Sequence, residues 1–145
     1  MLWRYVLCLM LVLGAFQIWQ NYPKTTIQLL AVQPQKHSVQ LKFQSSKDFG
    51  TRGSFEVNSR LFCVLAPNAE FASRSYQPTG EEYMGFISKE PAVFDAVKQA
   101  YIYDLNVNFN AEAVETRPQG HMQCRVLTGR YIGGFLASNV ILFQL

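Results

Sequence analysis

The chain has 145 residues, and beyond an apolar N-terminal stretch roughly 120 remain, enough for one domain with its own core and no obligatory metal or cross-link. Hydrophobic residues make up 49% and charged residues 16%, against about 25% charged in an average soluble domain, so a globular and rather apolar body is expected. The net charge is +3, and without Arg4 it is 12 basic against 10 acidic side chains, or +2; no two Lys or Arg are adjacent. A polyanion-binding face clusters basic charge, so nucleic acid is excluded as the expected partner.

Residues 5–16 (YVLCLMLVLGAF) carry no charge, follow Arg4 and run through Gln17, Ile18 and Trp19 into the polar Gln20 and Asn21. Charge, apolar run, then polar sequence is the order of a targeting segment. A buried core helix would show a polar face, and this stretch shows none. A cleaved signal peptide is poorly met, because cutting after Ala15 puts Leu13 where a small residue is preferred. An uncleaved anchor is favoured: Trp3 to Trp19 covers 17 residues, about 25 Å of helix. Trp3, Tyr5, Trp19 and Tyr22 bracket it as interfacial aromatics, and Arg4 holds the short end in the cytoplasm. The expected organisation is therefore a signal-anchor or transmembrane helix at 1–22 and an extracytoplasmic β-rich domain at 23–145, facing a bacterial periplasm or secreted.

Downstream, Thr25 to Val32 is β-rich, Gln33 to Lys36 breaks it, and Ser38 to Gln44 alternates Val39, Leu41 and Phe43 with polar residues, the period of a half-buried strand. After the loop Ser45 to Gly53, Phe55 and Val57 alternate and Leu61 to Leu65 is apolar throughout, as in a central strand buried on both faces. Pro67 to Gly85 reads as a long surface loop. The spacing predicts one soluble helix from Glu90-Pro91, with Val93, Phe94, Val97, Ala100 and Tyr101 on one face. Leu105 to Asn110 alternates again. Met122 to Leu127, Arg130 to Phe135 and Asn139 to Leu145 suggest a meander, with Thr128-Gly129 as the first turn and Gly133-Gly134 as a bulge. The expected fold is α+β: a mostly antiparallel sheet or small barrel with one packing helix.

Cys63 and Cys124 both fall in predicted strands, and an oxidising compartment favours their pairing over two buried thiols. His121 and Cys124 are three apart and, with Cys63 and His37, have the residue types of a zinc site, but paired C-x-x-C motifs are missing; no metal and no cofactor are expected. No nucleophile elbow, H-E-x-x-H or P-loop occurs, so no catalytic residue is assigned. Loop aromatics Phe71, Tyr76 and Tyr83, with Arg125, Arg130 and Tyr131 near the C-terminal strands, are the candidate contacts for a protein partner. The leading expectation is a non-catalytic, membrane-anchored accessory protein binding another protein of a cell-envelope assembly. A processed periplasmic inhibitor or immunity-type protein, and a small hydrolase or ligand-binding domain, are the alternatives.

Overall fold

The computed structural model describes residues 2–20, 25–50, 56–73, 75–87, 92–109, 118–130 and 135–145. Tyr22, Tyr131, the Glu90-Pro91 helix start and Gly133-Gly134 lie outside them.

The apolar N-terminal run forms a helix, α1 (Leu2–Gln20), and every side chain from Trp3 to Ala15 is exposed. The reading as a buried core helix is thereby removed. Among the described residues no helix is long and apolar enough to cross a membrane. Its uninterrupted apolar core, residues 5–16, amounts to about 18 Å of helix, against roughly 30 Å of hydrocarbon.

The rest is a mostly antiparallel sheet curled into a half-barrel. Among the described residues its strands are β1 (Ile27–Pro34), β2 (Ser38–Ser45), β3 (Glu56–Leu65), β4 (Tyr83–Phe86), β5 (Val93–Asp95), β6 (Ala100–Asn108), β7 (His121–Arg130), β8 (Phe135–Ala137) and β9 (Ile141–Gln144), with a helical turn, α2 (Ala69–Ala72), after β3. The order across the sheet is β1-β2-β6-β4-β3-β7-β8, with β5 on β6 and β9 on β7. Two long pairs, β2 with β6 and β3 with β7, are joined through the short β4. The join is tight at Gly85: a Cβ there would meet Val107 Cγ2 at 3.3 Å and Leu61 Cβ at 3.5 Å.

The period-2 alternation in β2 seats Val39, Leu41 and Phe43 in the core, where they meet Leu61, Cys63, Val107, Met122, Cys124, Ile141 and Phe143. A second cluster on the opposite face of β3 and β7 holds Phe62, Phe71 and Leu127. That places apolar groups on both faces of β3, although the strand emerges at its end, where Leu65 is 45% exposed.

Four sequence-based expectations need correction. The segment expected as a packing helix is a β hairpin from Val93 onward, turning at residues 96–99. Phe94 and Tyr101, seven apart, share a helix face, but across this turn they are direct strand partners with rings 5.0 Å apart. Asp95 Oδ1 accepts the Val97 and Lys98 N–H groups, and Gln99 takes a positive φ of 50°, so local turn chemistry outweighs helical spacing. The long loop expected over Pro67 to Gly85 contains α2 and ends in β4. Thr128-Gly129 is no turn: Thr128 faces inward against Ser59, hydroxyl to hydroxyl at 2.7 Å, and β7 continues to Arg130. Finally, β8 and β9 do not succeed one another in a meander but both pair with β7, end to end.

The curl brings β1 beside β9, where a side chain stands in for a strand. Ile27 N–H donates to Asn139 Oδ1 at 2.7 Å, and Asn139 Nδ2 donates to the Ile27 carbonyl at 2.9 Å. Asn139→Ala is expected to lower unfolding free energy by about 1–2 kcal/mol. Urea titration measures the loss, and faster amide exchange at Ile27 locates it.

Candidate functional site

Cys63 and Cys124 are register partners on β3 and β7, with Cα atoms 4.1 Å apart, and are joined by a disulfide. Both are fully buried. The bridge occupies the two sulfurs of the conceivable zinc set, and among the described residues no group of three or more His, Cys, Asp or Glu is placed to hold a metal.

The described candidate partner-binding residues are all buried or half-buried. Phe71 is fully buried, Arg125 is 3% exposed, and the two pack together, the guanidinium carbon 5.9 Å from the ring centre. Arg125 extends from the outer face of β7 beneath the segment between β3 and β4 and fastens it. Its Nη1 donates to the Phe71 carbonyl at 2.6 Å and the Ser73 carbonyl at 2.8 Å, and its Nη2 reaches the Ser138 carbonyl at 3.3 Å. Burial pushes the guanidinium below its usual pKa, a shift opposed by Tyr76. Arginine suits this place because its planar fork satisfies several carbonyls at once.

Sequence explains the local course of that segment. Asn68 caps α2 by accepting the Phe71 N–H at 2.9 Å, while its own N–H donates to Gln123 Oε1 on β7 at 2.8 Å. Phe71 is thereby swung inward onto Phe62 and Leu127. Tyr76 stacks edge-on against Phe71 at 5.0 Å and donates its hydroxyl to Glu82. Glu82 is buried and also accepts from the Thr79 N–H at 2.7 Å, the Thr79 hydroxyl at 3.1 Å and the Gly80 N–H at 2.9 Å. Gly80 has a φ of 93°, the left-handed conformation that glycine accepts at no steric cost.

Burial opposes ionisation of Glu82, but the Tyr76 hydroxyl and the surrounding N–H groups outweigh it and hold the carboxyl below its usual range. Burial and the same carboxylate push the Tyr76 hydroxyl pKa upward. A carboxylate with a depressed folded-state pKa stabilises fully above its unfolded value, about 4.3, and that contribution disappears as pH falls through the folded value. Glu82→Gln is therefore expected to cost about 1–2 kcal/mol at neutral pH. The gap between the variant and the natural chain should close on acidification below roughly pH 4. Urea midpoints measured from pH 3 to 7 check this, and a gap independent of pH overturns it.

Tyr83 is half-buried with its ring edge-on to Phe109 at 5.2 Å, and Arg130 is half-buried at the end of β7. Of the residues expected to flank a membrane anchor, Trp3, Arg4 and Tyr5 are exposed on α1, and Trp19 lies in the same helix. The residues that sequence reasoning missed are Glu82, Asn68 and Asn139, together with a second polar knot beneath the β2–β3 connection. There Tyr103, in β6, accepts the Phe49 N–H at 2.6 Å and donates to Asp48 Oδ1 at 3.0 Å. Burial, and then the Asp48 carboxylate, push the Tyr103 pKa upward. The local signals were Asn68 ahead of an apolar residue and the Thr79-Gly80 turn before Glu82; Asn139 carried no local signal.

A cleft of about 270 Å³ opens between the start of β1, the end of β2 and the β5–β6 turn, lined mainly by Thr26, Gln28, Gln44, Ser46, Lys98 and Gln99. It is smaller and more polar than a typical small-molecule site of about 300–1,000 Å³. No protein-family model, no curated protein and no solved structure matches this chain.

Proposed function

We propose that the chain is a non-catalytic accessory protein of a cell envelope, held at a membrane by α1, whose disulfide-bonded domain binds another protein on the oxidising side. The observation that carries this reading is α1 itself: an apolar helix whose side chains from Trp3 to Ala15 are all exposed, preceding a domain with a buried disulfide. Such a helix exposes too much apolar surface to rest in water, and a membrane satisfies it. Its short apolar core is compatible with insertion if the flanking aromatics and Arg4 sit at the interfaces and the bilayer thins locally.

A binding role is supported by how the ionisable groups are used. Arg125, Glu82 and Tyr103 spend their hydrogen bonds on backbone groups and neighbouring side chains, the pattern of groups that fix loops. The segment from Asn68 to Glu82 is held in this way from below, while Gln77, Thr79, Gly80 and Glu81 remain exposed. A loop ordered before binding has less entropy to lose on association, which favours affinity.

The test is intact mass with membrane fractionation of the expressed full-length chain, followed by crosslinking from position 77 or 81. Full-length mass in the membrane fraction, with a specific envelope protein crosslinked, supports the reading. A shortened soluble species removes the anchor and favours a processed periplasmic protein.

A further inference from the structure

The strand registers decide which loops share an end of the sheet. Ile27 pairs with Ser45, Ser45 with Tyr101, and Asp95 with Ala100. The start of β1 and the β5–β6 turn therefore lie at one end, and the turn before Ser38, the β3–β4 segment and Leu145 lie at the other. The chain reaches this first end directly from α1. From Gln20 to Thr25 there are five Cα steps, at most about 18 Å fully extended. Wherever the end of α1 sits, the entry end of the sheet is held within that radius.

At this same end the hairpin exposes apolar groups. Val97, at the tip, is 94% exposed; Val93 is 75% and Phe94 48% exposed on the outer strand. Lys98 stands beside Val97, while the one acid of the turn, Asp95, already caps the Val97 and Lys98 N–H groups. Apolar groups at a tip, a ring pair of Phe94 and Tyr101 behind them and a lysine alongside match the chemistry of a bilayer interface, where aromatic rings sit at headgroup level and lysine meets lipid phosphate.

We propose that the β5–β6 hairpin tip is a second membrane contact, dipping Val97 and Phe94 into the headgroup region of an anionic bilayer while Lys98 meets the lipid phosphates. This rests on the membrane-held reading of α1. Two attachment points restrict the tilt of the domain, so the β3–β4 segment at the opposite end is presented away from the bilayer.

The test uses the full chain in phosphatidylcholine–phosphatidylglycerol vesicles, in a Cys8→Ser background with the disulfide intact. An environment-sensitive fluorophore is attached at Val97→Cys or, at the opposite end, at Lys36→Cys. The Val97 probe is expected to shift to the blue and to be quenched several-fold more strongly by spin-labelled lipid than the Lys36 probe, and Lys98→Glu should weaken that quenching. If the chain sediments with the vesicles but both probes are equally open to aqueous iodide, the hairpin contact is overturned and the anchor stands. If the chain does not sediment with vesicles, the anchor reading falls and this one with it. Shielding of position 97 in native membranes but not in pure lipid assigns the tip to a protein and overturns the lipid contact.

Discussion

Replacing Cys63 and Cys124 together by alanine is expected to lower unfolding free energy by about 4 kcal/mol, the chain-entropy value for a loop closed over 61 residues. The effect is large because the bridge ties β3 to β7 directly within their shared ladder, and β7 also carries β8 and β9. Without it the unfolded chain gains freedom, and the folded sheet loses packing where Leu61, Met122 and Val126 converge. Denaturant titration of the double variant against the natural chain measures the difference, and a loss under 1 kcal/mol would sink the argument. A companion result follows from burial. Both half-cystines are fully buried, so reductant alone should leave Cys63 and Cys124 closed to alkylation. Both thiols should appear when denaturant is added; their appearance in native buffer would contradict the burial.

Arg125→Ala is the second large expected effect, about 3 kcal/mol, because it strips the donors from the Phe71, Ser73 and Ser138 carbonyls and opens space beneath Phe71. For a domain of this size that amounts to roughly 10 °C in melting temperature. The loss should be local before it is global, with protease cutting first in the exposed stretch from Gln77 to Glu81. Arg125→Met keeps most of the volume and removes the charge, so it separates packing from hydrogen bonding. Methionine leaves the same carbonyls without donors and should lie close to the alanine variant. A methionine variant as stable as the natural chain would show that the guanidinium contributes volume alone. If the segment fixed by Arg125 is the proposed partner surface, the same loosening should also weaken that association.

The β character of the domain was legible in the residues because a half-buried strand writes its period directly into the sequence. Val39, Leu41 and Phe43 in β2, and Ile141 and Phe143 in β9, are buried as their spacing implies. The candidate disulfide could be named from two cysteines in apolar strands, but their being opposite one another is a matter of register between segments 61 residues apart. Phe71, Tyr76 and Arg125 were visible as residues of interest; that Phe71 and Arg125 turn inward to form a clasp depends on the β3–β4 segment folding back over β7. The hairpin at Val93 to Tyr101 misleads for a definable reason. Partners seven apart across a four-residue turn have the spacing of two helical turns, and only the Asp95 cap and the pairing with β6 choose between them. Sequence by itself determined the apolar helix, the strand-rich body and the residues able to form a core, because hydropathy and its period are local properties. Tertiary structure decided strand order, the joining of two sheet halves at Gly85, the Asn139 closure and the burial of Arg125 and Glu82, because each needs groups distant in the chain to arrive within hydrogen-bonding or van der Waals reach.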